Sequence, residues 1–255
     1  MMRPMLVGNW KMNGDGTCLP LIAAIADTAA RYPEVEVTLC PPATLLDRAR
    51  LVAPALGLGA QNCHAERDGA HTGDLSAAML REAGADLVLL GHSERRHDHG
   101  EDDALIAAKL RTARAAGLRI LLCVGETAAD HAAGRSVAVV REQLTRSLGG
   151  ADGEGIAIAY EPVWAIGSDR VPEAAEVAAI AHAIRDSFPG EAPRVLYGGS
   201  VTAENGAALF AQGGIDGFLV GRQSLDAGAF TAILKTLLPA STVRHRHAEG
   251  GDGDR

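Results

Sequence analysis

Lysine is scarce in this chain: of its 24 basic residues only Lys11, Lys109 and Lys235 are lysines, and the rest are arginines. A lysine here therefore marks a place where a compact ammonium on a flexible stem is worth looking for. Cysteine is sparse too. Cys18, Cys40, Cys63 and Cys123 are widely spaced with no CxxC pair, which excludes a disulfide scaffold and argues for free thiols in a reducing compartment. Basic charge is outnumbered, 24 residues against 32 acidic ones, so neither nucleic acid nor an anionic membrane is expected as a partner. No apolar run approaches the ~18 residues of a membrane span. The amino-terminal stretch turns polar at Asn9 before a signal sequence is complete, and a cytoplasmic location is expected.

Several nucleotide and hydrolase motifs are missing as well. There is no GxGxxG after a strand and no Walker lysine pattern, which disfavours dinucleotides and nucleoside triphosphates. No nucleophile elbow or Ser-His-Asp order is present. No cofactor and no metal are expected.

What is there is ordinary globular material, 47% hydrophobic and 22% charged over 255 residues, enough to build a large core. Eight short Leu-rich or β-branched runs recur at 5–10, 35–40, 57–62, 86–91, 118–124, 156–161, 194–198 and 215–221. Several, such as Leu87-Val88-Leu89-Leu90, are continuously apolar, as expected of strands covered on both faces. Ala-rich stretches of helical spacing lie between them. In 173–188, Val177, Ile180, Ala181, Ile184 and Phe188 share one face, Pro172 stands at the start and Gly190 lies past the end. Segments 104–116 and 138–148 read similarly. Eight strands alternating with helices predict an α/β fold, a single-domain (β/α)8 barrel over residues 1–240, with a doubly wound sheet as the alternative. Residues 241–255 lack apolar periodicity and read as a disordered tail.

In such a barrel the reacting groups stand at the carboxyl ends of the strands. Those positions hold Asn9 and Lys11 after the first run, Gly91-His92-Ser93-Glu94 after the fourth, and Glu161-Pro162 after the sixth. Gly198-Gly199-Ser200 and Gly221-Arg222 follow the last two. Each is commonplace alone; a base, an electrophile, a cation and two glycine turns on one rim are not. A carboxylate can take a proton from carbon beside a carbonyl if neutral imidazole and ammonium stabilise the enediolate oxygen. Glycine turns after strands seven and eight are where barrels bind phosphate. The residues point to proton transfer next to a carbonyl on a small phosphorylated substrate.

The strings Gly8-Asn9-Trp10-Lys11-Met12-Asn13, Gly91-His92-Ser93-Glu94-Arg95-Arg96, Cys123-Val124-Gly125-Glu126-Thr127, 159–167 around Tyr160-Glu161-Pro162-Val163-Trp164, and Tyr197-Gly198-Gly199-Ser200-Val201 resemble the triosephosphate isomerase family over residues 4–238. That family is itself a standard case of tuned acid–base chemistry, and the following roles are what the resemblance implies. Glu161 is the base that moves a proton between two carbons. His92 is a neutral electrophile at a helix start, Lys11 supplies positive charge, and Asn9 assists the oxyanion site. Glu94 pairs with Lys11, relays protons or forms a structural salt bridge. Residues 162–170 form a lid that keeps water from the enediolate. Gly167, Ser200 and Gly221 bind the substrate phosphate. The implied reaction interconverts dihydroxyacetone phosphate and glyceraldehyde 3-phosphate, as in glycolysis and gluconeogenesis. Gly69-Ala70-His71-Thr72-Gly73-Asp74 matches the loop that enters a partner subunit, so a homodimer is implied, with Thr72 approaching the partner's site.

Three departures from the family stand out. The lid ends in Ser168-Asp169-Arg170 where a Thr-Gly run is usual, and losing that glycine changes which backbone angles are cheap. Gly221-Arg222 replaces a Gly-Gly pair at the phosphate end, so Arg222 either points to solvent with only its amide on the phosphate, or grips it with the guanidinium or reshapes the pocket. That leaves a four-carbon erythrulose phosphate as an alternative substrate. Finally, His97-Asp98-His99 stands where aromatics are usual; a solvated loop is expected, with metal binding the other reading. A non-catalytic sugar-phosphate-binding barrel is a further alternative, disfavoured because a binder has no need of the base.

Overall fold

The computed structural model describes residues 2–166, 172–212 and 214–239. Strands β1 (Met5–Asn9), β2 (Glu36–Cys40), β3 (Gly57–Ala60), β4 (Leu87–Leu90), β5 (Arg119–Val124), β6 (Ile156–Tyr160), β7 (Arg194–Gly198) and β8 (Gly217–Val220) close into a barrel in chain order. Every neighbouring pair is parallel, and β8 returns to pair with β1. Helices occupy the connections, so the (β/α)8 expectation holds and the doubly wound alternative falls.

The expected runs all form strands, but most are shorter than expected. The barrel ladder stops at Asn9, Ala60, Leu90, Tyr160 and Val220, so Trp10, Gln61, Gly91, Glu161 and Gly221 lie just past it, on the rim. Gly91 leaves the strand with φ +71, an angle that an L side chain rarely adopts. The helix expected over 173–188 spans Ala174–Arg185. Glu173 caps its start in a reciprocal capping box with Glu176, and Phe188 is left in a turn, its N–H donating to the Arg185 carbonyl. The other two expected helices are Asp103–Ala115 and Ser136–Leu148, the latter ended by left-handed Gly149. Residues 241–255, the expected tail, lie outside the described residues.

The continuous apolarity of the strands follows from two core layers. Met5, Val7, Leu87, Leu89, Leu121, Leu196 and Leu219 point inward with small Cys40, Cys123, Ala157 and Ala159 between them. Their alternates, among them Leu6, Val88, Leu90, Ile120, Leu122 and Phe218, pack under the helices. Both faces are therefore dry, and a polar alternation would have been destabilising. Closure between β1 and β8 leaves no room for a side chain at Gly217. Gly217 stands opposite Met5 in register, and a Cβ there would collide with the Met5 backbone. Gly217→Ala should lower stability by about 3 kcal/mol, read as a fall in thermal midpoint, because a backbone-to-backbone clash has no flexible side chain to relieve it.

Below the rim, Lys109 is 4% exposed and donates to Glu101 Oε1 at 2.5 Å and Asn62 Oδ1 at 3.0 Å. Arg95 Nε meets the same Glu101 oxygen at 2.5 Å. Glu36 is held by Arg119 and Arg194; burial opposes its ionisation, but the two guanidiniums win and keep its carboxyl below the usual range.

Candidate active site

Asn9 ends β1 and is buried. Two residues on, Lys11 sits at φ +53, and among the described residues no other non-glycine has positive φ. That is a costly backbone for a long side chain, and its surroundings over-determine it. Asn9 Oδ1 accepts the Lys11 N–H at 3.0 Å, and Gln61 Nε2 donates to the Lys11 and Cys40 carbonyls, each at 2.8 Å. The ammonium thus directed meets Glu94 Oε1 at 2.5 Å. Of the readings open for Glu94, ion pairing with Lys11 is the one this geometry displays.

His92 lies just past β4 and caps the helix Ser93–Asp98. Its Nδ1 accepts the Glu94 N–H at 3.2 Å, so that nitrogen carries no proton. The neutral ring therefore bears its hydrogen on Nε2, and Nε2 faces Glu161 Oε1 at 3.3 Å. His92 and Glu161 are both nearly buried, 6% and 4% exposed.

Glu161 follows β6 and is fixed at its backbone by donating its N–H to the Val124 carbonyl at 2.8 Å. The other carboxylate oxygen accepts the Ser93 N–H at 3.3 Å. Two glycines make room for it. A Cβ on Gly125 would overlap the Glu161 carbonyl, and one on Gly198 would come within 2.8 Å of the Glu161 Cγ. Behind the carboxylate, Cys123 is fully buried, and burial first and Glu161's charge second push its thiol well above the ordinary range. It stands there as a neutral apolar wall rather than a nucleophile.

The chain after Glu161 is tied to the β5 loop. Trp164 Nε1 donates to Glu126 Oε1 at 2.7 Å, the Val163 N–H donates to the Glu126 carbonyl, and His131 stacks on the Trp164 ring with centroids 4.2 Å apart. Gly167 and the Ser168-Asp169-Arg170 segment lie outside the described residues.

These groups open onto one cavity of about 750 Å³ at the carboxyl end of the barrel, lined by Asn9, Lys11, His92 and Glu161 together with Gly198–Ser200, Gly221 and Arg222. At Gly221 a Cβ would meet Lys11 Cε at 3.6 Å, an ordinary contact, so the missing side chain there leaves space for a ligand rather than for the protein. Asn205 braces the Ser200 turn, donating to the Ser200 carbonyl and accepting the Thr202 N–H, both at 2.8 Å. A base, a neutral N–H donor, an ammonium and glycine-walled turns around one space suit proton abstraction beside a carbonyl on an anionic substrate.

The structure thus brings Asn9, Lys11, His92, Glu94, Glu161, Ser200, Gly221 and Arg222 to one rim. Sequence reasoning missed Gln61, which holds Lys11, and the clearance roles of Gly125 and Gly198. Gln61 follows β3 directly, but the run expected over 57–62 placed it inside the strand, out of reach of the strand-end rule that found the others. Thr72 is exposed in the loop between β3 and the helix Ala77–Glu82. His97 is exposed and pairs with Asp98; neither it nor His99 meets a third ligand among the described residues. The group of candidate metal ligands that does converge is His64, His71 and Asp74. There His64 Nδ1 accepts the Glu66 N–H, which puts the ring's proton on the Nε2 facing Asp74 and leaves no lone pair there for a metal.

A family model described as Triosephosphate isomerase matches residues 4–237. The triosephosphate isomerase of Ruegeria pomeroyi is 47% identical over 251 residues, covering 94% of this chain and 100% of the relative. That of Xanthobacter flavus is 46% identical, with 92% and 98% covered. The crystal structure of the Bartonella henselae triosephosphate isomerase superposes with a TM-score of 0.85 at 42% identity, covering 92% of this chain and 99% of that one. With the barrel and its rim already in place, the match runs over nearly the whole chain: this protein belongs to the triosephosphate isomerase family.

Proposed function

We propose that the protein interconverts dihydroxyacetone phosphate and glyceraldehyde 3-phosphate by proton transfer through an enediolate, as an enzyme of glycolysis and gluconeogenesis. The observation that carries this is the convergence of Glu161, His92 Nε2 and Lys11 on one cavity at the carboxyl end of the barrel. Glu161 takes a proton from C1, and the electron pair forms a C1–C2 double bond as the C2 carbonyl oxygen becomes an oxyanion. His92 Nε2–H and the Lys11 ammonium stabilise that oxyanion. A proton leaves the C1 hydroxyl and one is gained at the C2 oxygen, with His92 between the two, and Glu161 returns its proton to C2. Before this, the substrate must displace Glu161 from the Nε2–H it faces in this structure.

Ser200, Gly221, Arg222 and Gly167 are assigned to the phosphate end. Nothing in the cavity or among the relatives favours a four-carbon substrate. A coupled assay comparing dihydroxyacetone phosphate with erythrulose phosphates tests this: rapid triose turnover is expected, and negligible triose turnover beside rapid tetrose turnover overturns it. His92→Gln should lower kcat about 10²-fold, since an amide donates but cannot shuttle a proton between the oxygens.

The functional unit is assigned as a cytoplasmic homodimer. Met12 is 96% exposed beside Lys11, and Leu75 and Met79, just after the Thr72 loop, are also exposed; a second copy would cover this apolar surface. Light scattering at assay concentration should give twice the monomer mass.

A further inference from the structure

We propose that Arg222 is a substrate-binding residue, whose guanidinium supplies a positive charge, unpaired among the described residues, at the phosphate end of the cavity. Affinity for a dianionic phosphate, rather than turnover, then depends on its side chain. The inference rests on the isomerase reading and concerns how that site holds its substrate.

The argument starts from the charges around the cavity. Among the described lining residues the ionised groups are Lys11, Glu161 and Arg222, with His92 neutral by its hydrogen bonding. Lys11 is already paired with Glu94 at 2.5 Å. Lys11 and Glu94 cancel, and Glu161 remains. Without Arg222 the described lining would present net negative charge to an incoming dianion, and like charges in a half-enclosed cleft repel.

Arg222 is exposed and makes no hydrogen bond or ion pair with any described residue. Arg50, Arg96 and Arg194, by contrast, each hold a carboxylate within 2.6 Å. Exposed Arg67 and Arg111 are as unpaired among the described residues as Arg222; what sets Arg222 apart is its place in the cavity lining. The free guanidinium nevertheless springs from a rigid base. It opens the 3-10 turn Arg222–Leu225. Ser224 donates both its N–H and its hydroxyl to the Gly221 carbonyl, at 2.8 and 2.7 Å. The Trp10 indole N–H donates to the Ser224 carbonyl at 3.0 Å, tying the turn to the end of β1. The residue is held at its root and open at its tip, next to a glycine that leaves the ligand's space clear. A planar fork of N–H donors so placed matches phosphate oxygens in pairs.

Steady-state kinetics and inorganic phosphate binding of the full chain test this, using Arg222→Gly, Arg222→Gln and Arg222→Lys. Expected for the Gly and Gln variants is a rise of about 10-fold in KM, kcat within about 2-fold of wild type, and a similar weakening of inhibition by inorganic phosphate. The fall of kcat/KM with added salt should be shallower than in wild type, because a charge that draws the substrate has been removed. Arg222→Lys should restore the salt dependence while recovering only part of the affinity. Unchanged KM and phosphate inhibition in Arg222→Gly would overturn the proposal, as would a loss confined to kcat. A wild-type protein that binds inorganic phosphate through Arg222 but does not turn over triose phosphate would instead contradict the isomerase reading and leave this inference standing.

Discussion

Replacing Glu161 by Gln should lower kcat by about 10³- to 10⁴-fold with little change in KM, because the amide keeps the shape and loses the carboxylate assigned to take the proton. The surroundings make the result specific. Gly125 and Gly198 leave room for this side chain's backbone and stem, and its N–H is anchored on Val124, so the isosteric amide fits without disturbing the fold. Its oxygen can still accept the Ser93 N–H, but its NH2 then faces the His92 Nε2–H donor to donor. A fall in melting temperature of no more than a few degrees beside the lost activity is therefore part of the expectation. Glu161→Asp draws the carboxylate back by one methylene from a pocket shaped around glutamate, and a loss of about 10²-fold is expected from misplacement alone.

Lys11→Met should be nearly as damaging to kcat/KM, by about 10³-fold, and in both kcat and KM. The ammonium is expected to serve the developing oxyanion and the phosphate, so its removal costs ground-state and transition-state interactions together. The substitution also leaves Glu94 without its cation, so a negative charge then faces an anionic substrate. Arginine is not a substitute, although this chain favours arginine nearly everywhere else. The positive-φ backbone of Lys11 aims a slim side chain past Gly221, whose clearance to Lys11 Cε fits an alkyl stem, and a planar guanidinium is broader. Lys11→Arg should retain no more than about one hundredth of wild-type kcat/KM.

Two of the three lysines stand where an ammonium has a defined partner. Lys11 faces the cavity and Lys109 is buried on Glu101 and Asn62; Lys235 is exposed near the end of the helix Ala227–Thr236. The barrel was legible because strands dry on both faces leave continuous apolar runs, a signal that local composition carries. Strand ends were less so. Trp10, Gln61 and Glu161 read as extensions of apolar runs, and only the ladder's geometry decides where pairing stops. The rim residues were legible as a set because each follows a strand directly. Their mutual arrangement was not, since Lys11 and Glu94, like Ser93 and Glu161, meet only when the barrel closes. Gln61's grip on Lys11 and the clearance at Gly125 belong to that same closure. A capping box, by contrast, is a matter of a few neighbouring residues, yet Pro172 drew attention away from Glu173 and Glu176, which form it.

The central claim is that Glu161 carries a proton between two carbons through an enediolate. Converting dihydroxyacetone phosphate in D2O and locating the label by NMR tests it most directly. A carboxylic acid at the cavity exchanges its proton with solvent during the lifetime of the intermediate, so deuterium should appear at C2 of the glyceraldehyde 3-phosphate formed. Glu161→Gln should slow both product formation and exchange by the same factor of about 10³ to 10⁴. Product formed at the wild-type rate with no solvent deuterium at C2 would indicate a direct hydride shift and contradict the account.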